Sequence, residues 1–169
     1  MAFFKDGRFA PDPWRRVDAI EELPAEGYVI LSLDTWRRLA WPKQRTNLAF
    51  GLLLEPGQRV EAIADDLPYL GLIAIQFPKF TDGRGYSIAR QIRERYNFTG
   101  ELRATGDVLF DQLQFMARCG FDAFEISDPV TIRLLEEDRH SGALRHFYQP
   151  GHGPEERVGT SPWRRRPTS

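Results

Sequence analysis

Short apolar segments alternate with helical patterns about five times between residues 27 and 149. The clearest unit covers residues 72–106: an apolar, β-branched run at 72–77, a turn-rich loop, a helical pattern and a second short strand at 101–105. Because parallel strands need long crossovers, this alternation predicts an α/β fold with helices flanking a mainly parallel sheet of about five strands. We expect an open, three-layer, Rossmann- or flavodoxin-like sheet, with a partial barrel-like βα sheet as the alternative.

The two ends of the chain differ in composition from its middle. Residues 1–26 contain Pro11, Pro13 and Pro24, and an Asp-Gly pair between aromatic residues indicates a β-hairpin there. After Pro150 the chain is rich in Gly, Pro, Glu and Arg and has no apolar pattern. We therefore expect an N-terminal arm over residues 1–26, a single α/β domain over residues 27–149 and a disordered tail over residues 150–169.

Composition excludes several classes of function. The chain has 23 basic and 24 acidic side chains, so its overall charge gives no basis for binding nucleic acid. No apolar run is long enough to cross a bilayer, and the first residues do not resemble a signal peptide. A single cysteine, Cys119, excludes an internal disulfide. These features predict a cytoplasmic protein that binds neither nucleic acid nor membranes.

The loop after the 72–77 segment has the residues typical of an anion site. Glycines on both sides of Arg84 let the main chain approach a ligand closely, and the next helix, expected to begin near Ser87, offers unpaired N–H groups. Lys79 and Arg84 add positive charge, so sulfate, sulfite or phosphate is a reasonable ligand. The same residues also have a structural explanation: Asp82-Gly83 as a tight turn, Ser87 as a helix cap and Arg84 as an ion-pair partner.

Three polar loops are expected at one edge of the sheet, at residues 79–87, 105–107 and 127–128. Ligands of parallel sheets bind beyond the carboxyl ends of the strands, so these loops predict one site. Arg103 is expected to face the anion, although it could equally pair with Glu101 or Asp107. The predicted ligand-binding residues are Lys79, Asp82, Gly83, Arg84, Gly85, Ser87, Arg103 and Asp107.

The sequence identifies no catalytic residue, cofactor or metal site. We interpret Asp82 and Asp107 as orienting or capping groups rather than acid–base catalysts. Cys119 ends a predicted helix, where the helix dipole disfavours a thiolate, and it should lie at the opposite rim from the loops. The three histidines, His140, His146 and His152, are six residues apart, which is no helical ligand spacing.

Two segments resemble a known bacterial family. FPKFTDGRGYS (residues 77–87) and GELRATGDVLFDQLQFMARCGFDAFE (residues 100–125) are closely similar to domain of unknown function 934. Members are often labelled "oxidoreductase probably involved in sulfite reduction", and the similarity is dense from about Asp66 to Glu125. The resemblance implies a role beside the sulfite reductase hemoprotein and other sulfate-assimilation proteins. It supplies no catalytic residues.

Two functions fit these observations. The first is an accessory protein of assimilatory sulfate or sulfite reduction that binds a small oxyanion, the sulfite reductase hemoprotein, or both. The alternative is an oxidoreductase that uses an external flavin or nicotinamide nucleotide in sulfite reduction. The loop at residues 79–87 lacks the third glycine of a dinucleotide fingerprint and the Gly-Lys-Ser/Thr ending of a P-loop.

Overall fold

The computed structural model describes residues 1–39, 47–79 and 83–141, with side chains up to residue 137. Within these residues the chain forms one sheet of eight strands. In chain order they are β1 (Ala2–Lys5), β2 (Arg8–Phe9), β3 (Trp14–Val17), β4 (Glu26–Ser32), β5 (Asn47–Leu54), β6 (Leu70–Phe77), β7 (Glu101–Gly106) and β8 (Ala123–Ile126).

Helices follow most of the parallel strands. The α-helices are α1 (Leu33–Arg38), α2 (Arg84–Arg90), which continues directly as a π-helical segment (Gln91–Arg95), α3 (Leu113–Cys119) and α4 (Pro129–Ser141). Three 3-10 helices complete the connections, at Ile20–Glu22, Val60–Tyr69 and Phe110–Gln112.

The strands lie in the order β2-β1-β8-β7-β6-β5-β4-β3, and β3 to β8 are all parallel. Each new parallel strand is therefore added beside the previous one. Because parallel crossovers are almost always right-handed, this order places every connecting helix on the same face of the sheet. The α/β class is confirmed, and of the two expected architectures the structure has the partial barrel.

One ion pair shows how strongly the sheet curls. Arg16 of β3 and Glu125 of β8 are five strands apart in the sheet, which is about 24 Å in a flat sheet. Their side chains nevertheless meet, with 2.7 Å between Arg16 Nη2 and Glu125 Oε2. The sheet is thus a half-barrel with a convex outer face and a concave inner face.

The two faces of the sheet have different contents. Outward side chains such as Ile73 and Leu52 pack with Trp36, Ile63 and Met116 of the helical layer in one large core. A smaller apolar cluster, made by Ile30, Leu72 and Ala74 with Trp14 and Leu53, lies on the inner face. A helical layer therefore covers the outer face.

Residues 1–26, expected to form an arm, supply three of the eight strands, which explains why the count exceeds the predicted five. The predicted hairpin is confirmed: β1 pairs antiparallel with β2, and Asp6 and Gly7 have φ of 53° and 74°, both positive as a type I′ turn requires. The predicted tail at residues 150–169 lies outside the described residues.

Two predicted helix starts are wrong. The helix expected near Ser87 begins at Arg84, after Gly83. Asp107 does not cap the helix after β7, since an extended Leu109 precedes the 3-10 helix Phe110–Gln112. The predicted helix end at Cys119 is confirmed, and Gly120 follows it as the C-cap with a φ of 111°.

Candidate functional site

The loops after β6 and β7 meet at the carboxyl edge of the sheet, as predicted. The Asp107 N–H donates a hydrogen bond to the Phe77 carbonyl at 2.9 Å. Gly106 has a φ of 92°, and a Cβ there would lie 2.3 Å from the Phe77 carbonyl oxygen. Only glycine fits this close approach. The structure therefore places Asp107 beside the loop that leads into α2.

Four of the predicted site residues are exposed on that loop and the first turns of α2, namely Lys79, Gly83, Arg84 and Ser87. Gly83 has an ordinary φ of −72°. None of the described residues comes within 4 Å of a Cβ built on Gly83. Neither backbone conformation nor packing in the described structure requires glycine there, so its small size leaves the start of α2 accessible.

The other two residues of this loop differ from that pattern. Gly85 is buried because α2 packs on β6, and a Cβ there would lie 2.5 Å from the Phe77 ring. Its role in the structure is packing. Asp82 lies outside the described residues.

An exposed basic and aromatic surface continues from this loop along α2. Phe115 of α3 is 45% exposed, and its ring centroid is 4.8 Å from that of Tyr86. The guanidinium carbon of Arg90 lies 5.9 Å from the same Phe115 centroid. We call Lys79, Arg84, Tyr86, Arg90 and Phe115 the α2 surface. Tyrosine, arginine and phenylalanine are enriched in protein interfaces, so the surface has the composition of a binding site.

Arg103 is not part of that exposed surface. It points to the inner face of the half-barrel, where its side chain is 0% exposed. Its guanidinium is surrounded by three carboxylates. The shortest distances are 2.6 Å to Asp12, 2.7 Å to Glu101 and 2.8 Å to Glu125.

All three guanidinium nitrogens of Arg103 are engaged by these acids. Nε donates to Glu101, Nη1 to Asp12 and Glu125, and Nη2 to Asp12, with the Glu101 carboxylate a further 2.7 Å contact of Nη2. The pair with Glu101, one of the two considered from the sequence, is therefore present. Because its charge is already compensated, we leave Arg103 out of the proposed anion-binding set.

Further polar residues extend this arrangement, which we call the inner-face network. Lys5 Nζ lies 2.8 Å from Glu101. Thr105 donates to Glu125 at 2.8 Å, and Arg16 Nη2 donates to both Thr105 and Glu125, at 2.9 Å and 2.7 Å. The network joins β1, β3, β7 and β8.

Two bases of the network, Arg103 and Lys5, are held in their charged forms. Burial opposes the charge of Arg103, but hydrogen bonds to Asp12 and Glu125 and the charge of Glu101 outweigh it and raise the pKa of the guanidinium. Burial likewise opposes the charge of Lys5, and the hydrogen bond and charge of Glu101 raise its pKa. Three basic and three acidic side chains therefore neutralise one another on the inner face.

Sequence reasoning missed the network, although one signal was present. Glu101, Arg103 and Thr105 alternate with Leu102 and Ala104 along β7. Polar residues at every second position of a strand indicate a polar face. The partners Asp12 and Arg16 escaped notice because they lie in the segment expected to be an arm.

The structure describes only some of the other residues considered in the sequence analysis. Cys119 is buried at the end of α3, the position expected for it. The side chains of all three histidines lie outside the described residues. Among the side chains that are described, no three His, Cys, Asp or Glu groups are placed to share a metal ion. No helix in the described ranges has the length and apolarity needed to span a bilayer.

Comparison with known proteins identifies a family. A family model described as "Bacterial protein of unknown function (DUF934)" matches residues 51–157, so the chain belongs to this family. The matched region contains the α2 surface, together with Arg103 and Glu125 of the inner-face network. A search of curated proteins finds no match.

Proposed function

We propose that this family member is an accessory protein of assimilatory sulfate or sulfite reduction, and that its α2 surface binds a small oxyanion, the sulfite reductase hemoprotein, or both. The observation that carries the proposal is the presence of exposed cations along α2 and the loop before it, with the exposed Phe115 ring packed beside Tyr86 and Arg90. The sulfur pathway comes from the resemblance noted in the sequence.

The first part of the proposal concerns charge. Lys79 and Arg84 are exposed beside the first turn of α2, and Gly83 leaves room for a ligand there. A sulfite or sulfate ion would accept hydrogen bonds from these cations, which are stronger than neutral hydrogen bonds. Because the cations are exposed, we expect weak binding that decreases as salt concentration rises.

The second part concerns a protein partner. A 45% exposed phenylalanine beside a tyrosine and an arginine offers apolar area together with charge. Interface residues of this type carry much of the binding energy when a partner excludes water from them. The partner surface that fits is acidic, with an apolar centre to cover Phe115.

Co-purification from sulfate-grown cells tests the protein partner. The tagged native chain should recover the sulfite reductase hemoprotein, and Phe115→Ala with Arg90→Ala should reduce recovery at least fivefold. Arg133→Ala is the matched control, because Arg133 is a 67% exposed arginine on α4 and is not one of the residues of the α2 surface. Equal recovery by all three proteins, or no recovery by the native chain, would contradict docking through this surface.

Titration with sulfite and sulfate tests the anion separately. The Lys79→Ala/Arg84→Ala double variant should lose binding that Arg133→Ala retains, and added salt should weaken the native binding. A yellow purified protein, or a thermal shift with flavin or NADPH, would instead favour an oxidoreductase. Normal growth of a deletion strain on sulfate as sole sulfur source would contradict the pathway assignment.

A further inference from the structure

A cavity of about 200 Å³ lies at the mouth of the inner face, apart from the α2 surface. Its polar wall contains Asp12, Arg16 and Glu125. The rest of its wall is apolar and consists of Met1, Ala2, Phe3, Trp14 and Ile30. The cavity therefore has one polar side and one apolar side, as sites for small amphipathic molecules do.

Part of the polar wall of the cavity lies towards the carboxyl ends of the strands, whereas Trp14 in its apolar wall begins β3. Arg16 and Glu125 are each the last but one residue of their strands, β3 and β8. In parallel barrels the carboxyl ends of the strands form the face that carries the functional groups.

The hydrogen-bonding capacity left over in the cavity is that of a donor. Asp12 accepts from Arg103 through both oxygens, and both oxygens of Glu125 are occupied by Arg103, Arg16 and Thr105. Arg16 uses only its Nη2 group in these bonds. Among the described residues, its Nε–H and Nη1–H groups have no partner. A ligand that brings an acceptor can therefore pair with these donors.

The apolar wall is fixed before any ligand arrives. The Trp14 ring packs over two glycines, since a Cβ at Gly51 or Gly71 would come within 3.2 or 3.3 Å of it. Tyr28 holds the ring from the side, at 5.2 Å between centroids. The Arg16 side chain is 41% exposed, so its free donors are accessible from solvent. A preorganised wall lowers the entropic cost of binding.

We infer that this cavity is a binding site for small carboxylates with a compact apolar body, the carboxylate on Arg16 and the body against Trp14, Phe3 and Ile30. An arginine is the side chain best matched to a carboxylate. The acidic neighbours do not prevent this, because the bases of the inner-face network balance them in number. A volume of about 200 Å³ admits a molecule the size of benzoate.

Benzoate and uncharged benzamide form the test pair, with the Trp14 indole N–H resonance as the probe. It is assigned with Trp14→Phe. We expect benzoate to shift this resonance saturably and to bind at least tenfold more tightly than benzamide, because only benzoate adds an ion pair to its hydrogen bond with Arg16. Equal affinities of the two molecules, or no shift by benzoate, would overturn the inference.

A matched pair of variants tests the role of Arg16. Arg16→Gln should weaken benzoate binding at least tenfold, whereas Arg15→Gln should leave it unchanged, since Arg15 is exposed and next in the strand. Unchanged binding to Arg16→Gln would overturn the assignment. If Arg16→Gln proves unfolded in a thermal melt, the comparison of benzoate with benzamide on the native chain still decides.

Discussion

Replacing Arg103 with leucine would remove the centre of the inner-face network. Glu101 and Glu125 are only 10% and 5% exposed, and each would lose one of its two cations, keeping Lys5 and Arg16, respectively. Asp12 is 27% exposed and can regain water. Breaking a buried ion pair on one side costs about 3–5 kcal/mol, because a buried charge is left uncompensated. Because Lys5 and Arg16 remain beside the glutamates, we expect a loss near the lower end of that range at pH 7.5, still a large part of the about 5–15 kcal/mol that stabilises a typical domain.

The pH dependence separates this cause from a simple packing defect. In the variant the three carboxylates of the network share two cations, Lys5 and Arg16, so the inner face carries an excess of negative charge. That excess destabilises the folded chain at neutral pH and is relieved as the carboxylates take up protons at lower pH. The loss at pH 5 should therefore be smaller than at pH 7.5.

Urea unfolding of native and Arg103→Leu proteins at both pH values measures the effect. Arg133→Leu is the control, and as a 67% exposed residue it should change stability by no more than about 0.5 kcal/mol. A loss below about 1 kcal/mol for Arg103→Leu, or an equal loss at the two pH values, would refute the electrostatic reasoning.

Three other experiments test local features of the fold. Gly106→Ala should cost at least about 2 kcal/mol in urea unfolding, because it combines a φ of 92° with a backbone clash, whereas Gly83→Ala should be nearly neutral; equal effects would contradict this contrast. Burial raises the pKa of the Asp122 carboxyl, so the contribution of this group to stability falls as pH rises from about 4 through its folded pKa. The free energy of unfolding of Asp122→Asn should therefore increase relative to that of the native protein over that pH range. If the unfolding free energies of the native protein and Asp122→Asn depended on pH in the same way, the raised pKa of Asp122 would be contradicted. A double-mutant cycle of Arg16→Gln and Glu125→Gln should give a coupling of at least about 0.5 kcal/mol, since the two side chains meet across the half-barrel; zero coupling would argue against the curl of the sheet.

The sequence was sufficient to predict the class of fold but not the order of the strands in the sheet. Apolar strands and helical segments alternate in the same way in a doubly wound sheet and in a barrel. The difference is whether the strand order reverses partway, as in a Rossmann fold, or continues in one direction. Here β3 to β8 continue in one direction, and that choice depends on long-range packing of the helices, which periodicity along the chain does not report.

The candidate site residues also fall into those that a local sequence pattern indicates and those whose surroundings depend on the fold. Lys79, Gly83 and Arg84 could be found from the sequence because a turn-rich loop before a helix is a local pattern. The environment of Arg103 depends on Asp12, which is 91 residues away in the chain. Local reasoning found the arginine and one partner, Glu101, but the other two carboxylates reach it only through the three-dimensional fold.

The shape of the sheet explains why its inner face contains so many charges. In a closed barrel, layers of large apolar side chains from all strands fill the interior. A half-barrel lacks the opposite wall, so its inner face remains close to water and polar side chains can lie there. Lys5, Asp12 and Arg16, all from the first strands and their connections, provide half of the six ionic groups on that face. The segment set aside as an arm therefore completes the inner-face network and provides most of the cavity wall. The proposed carboxylate site depends on it, and the α2 surface is built without it.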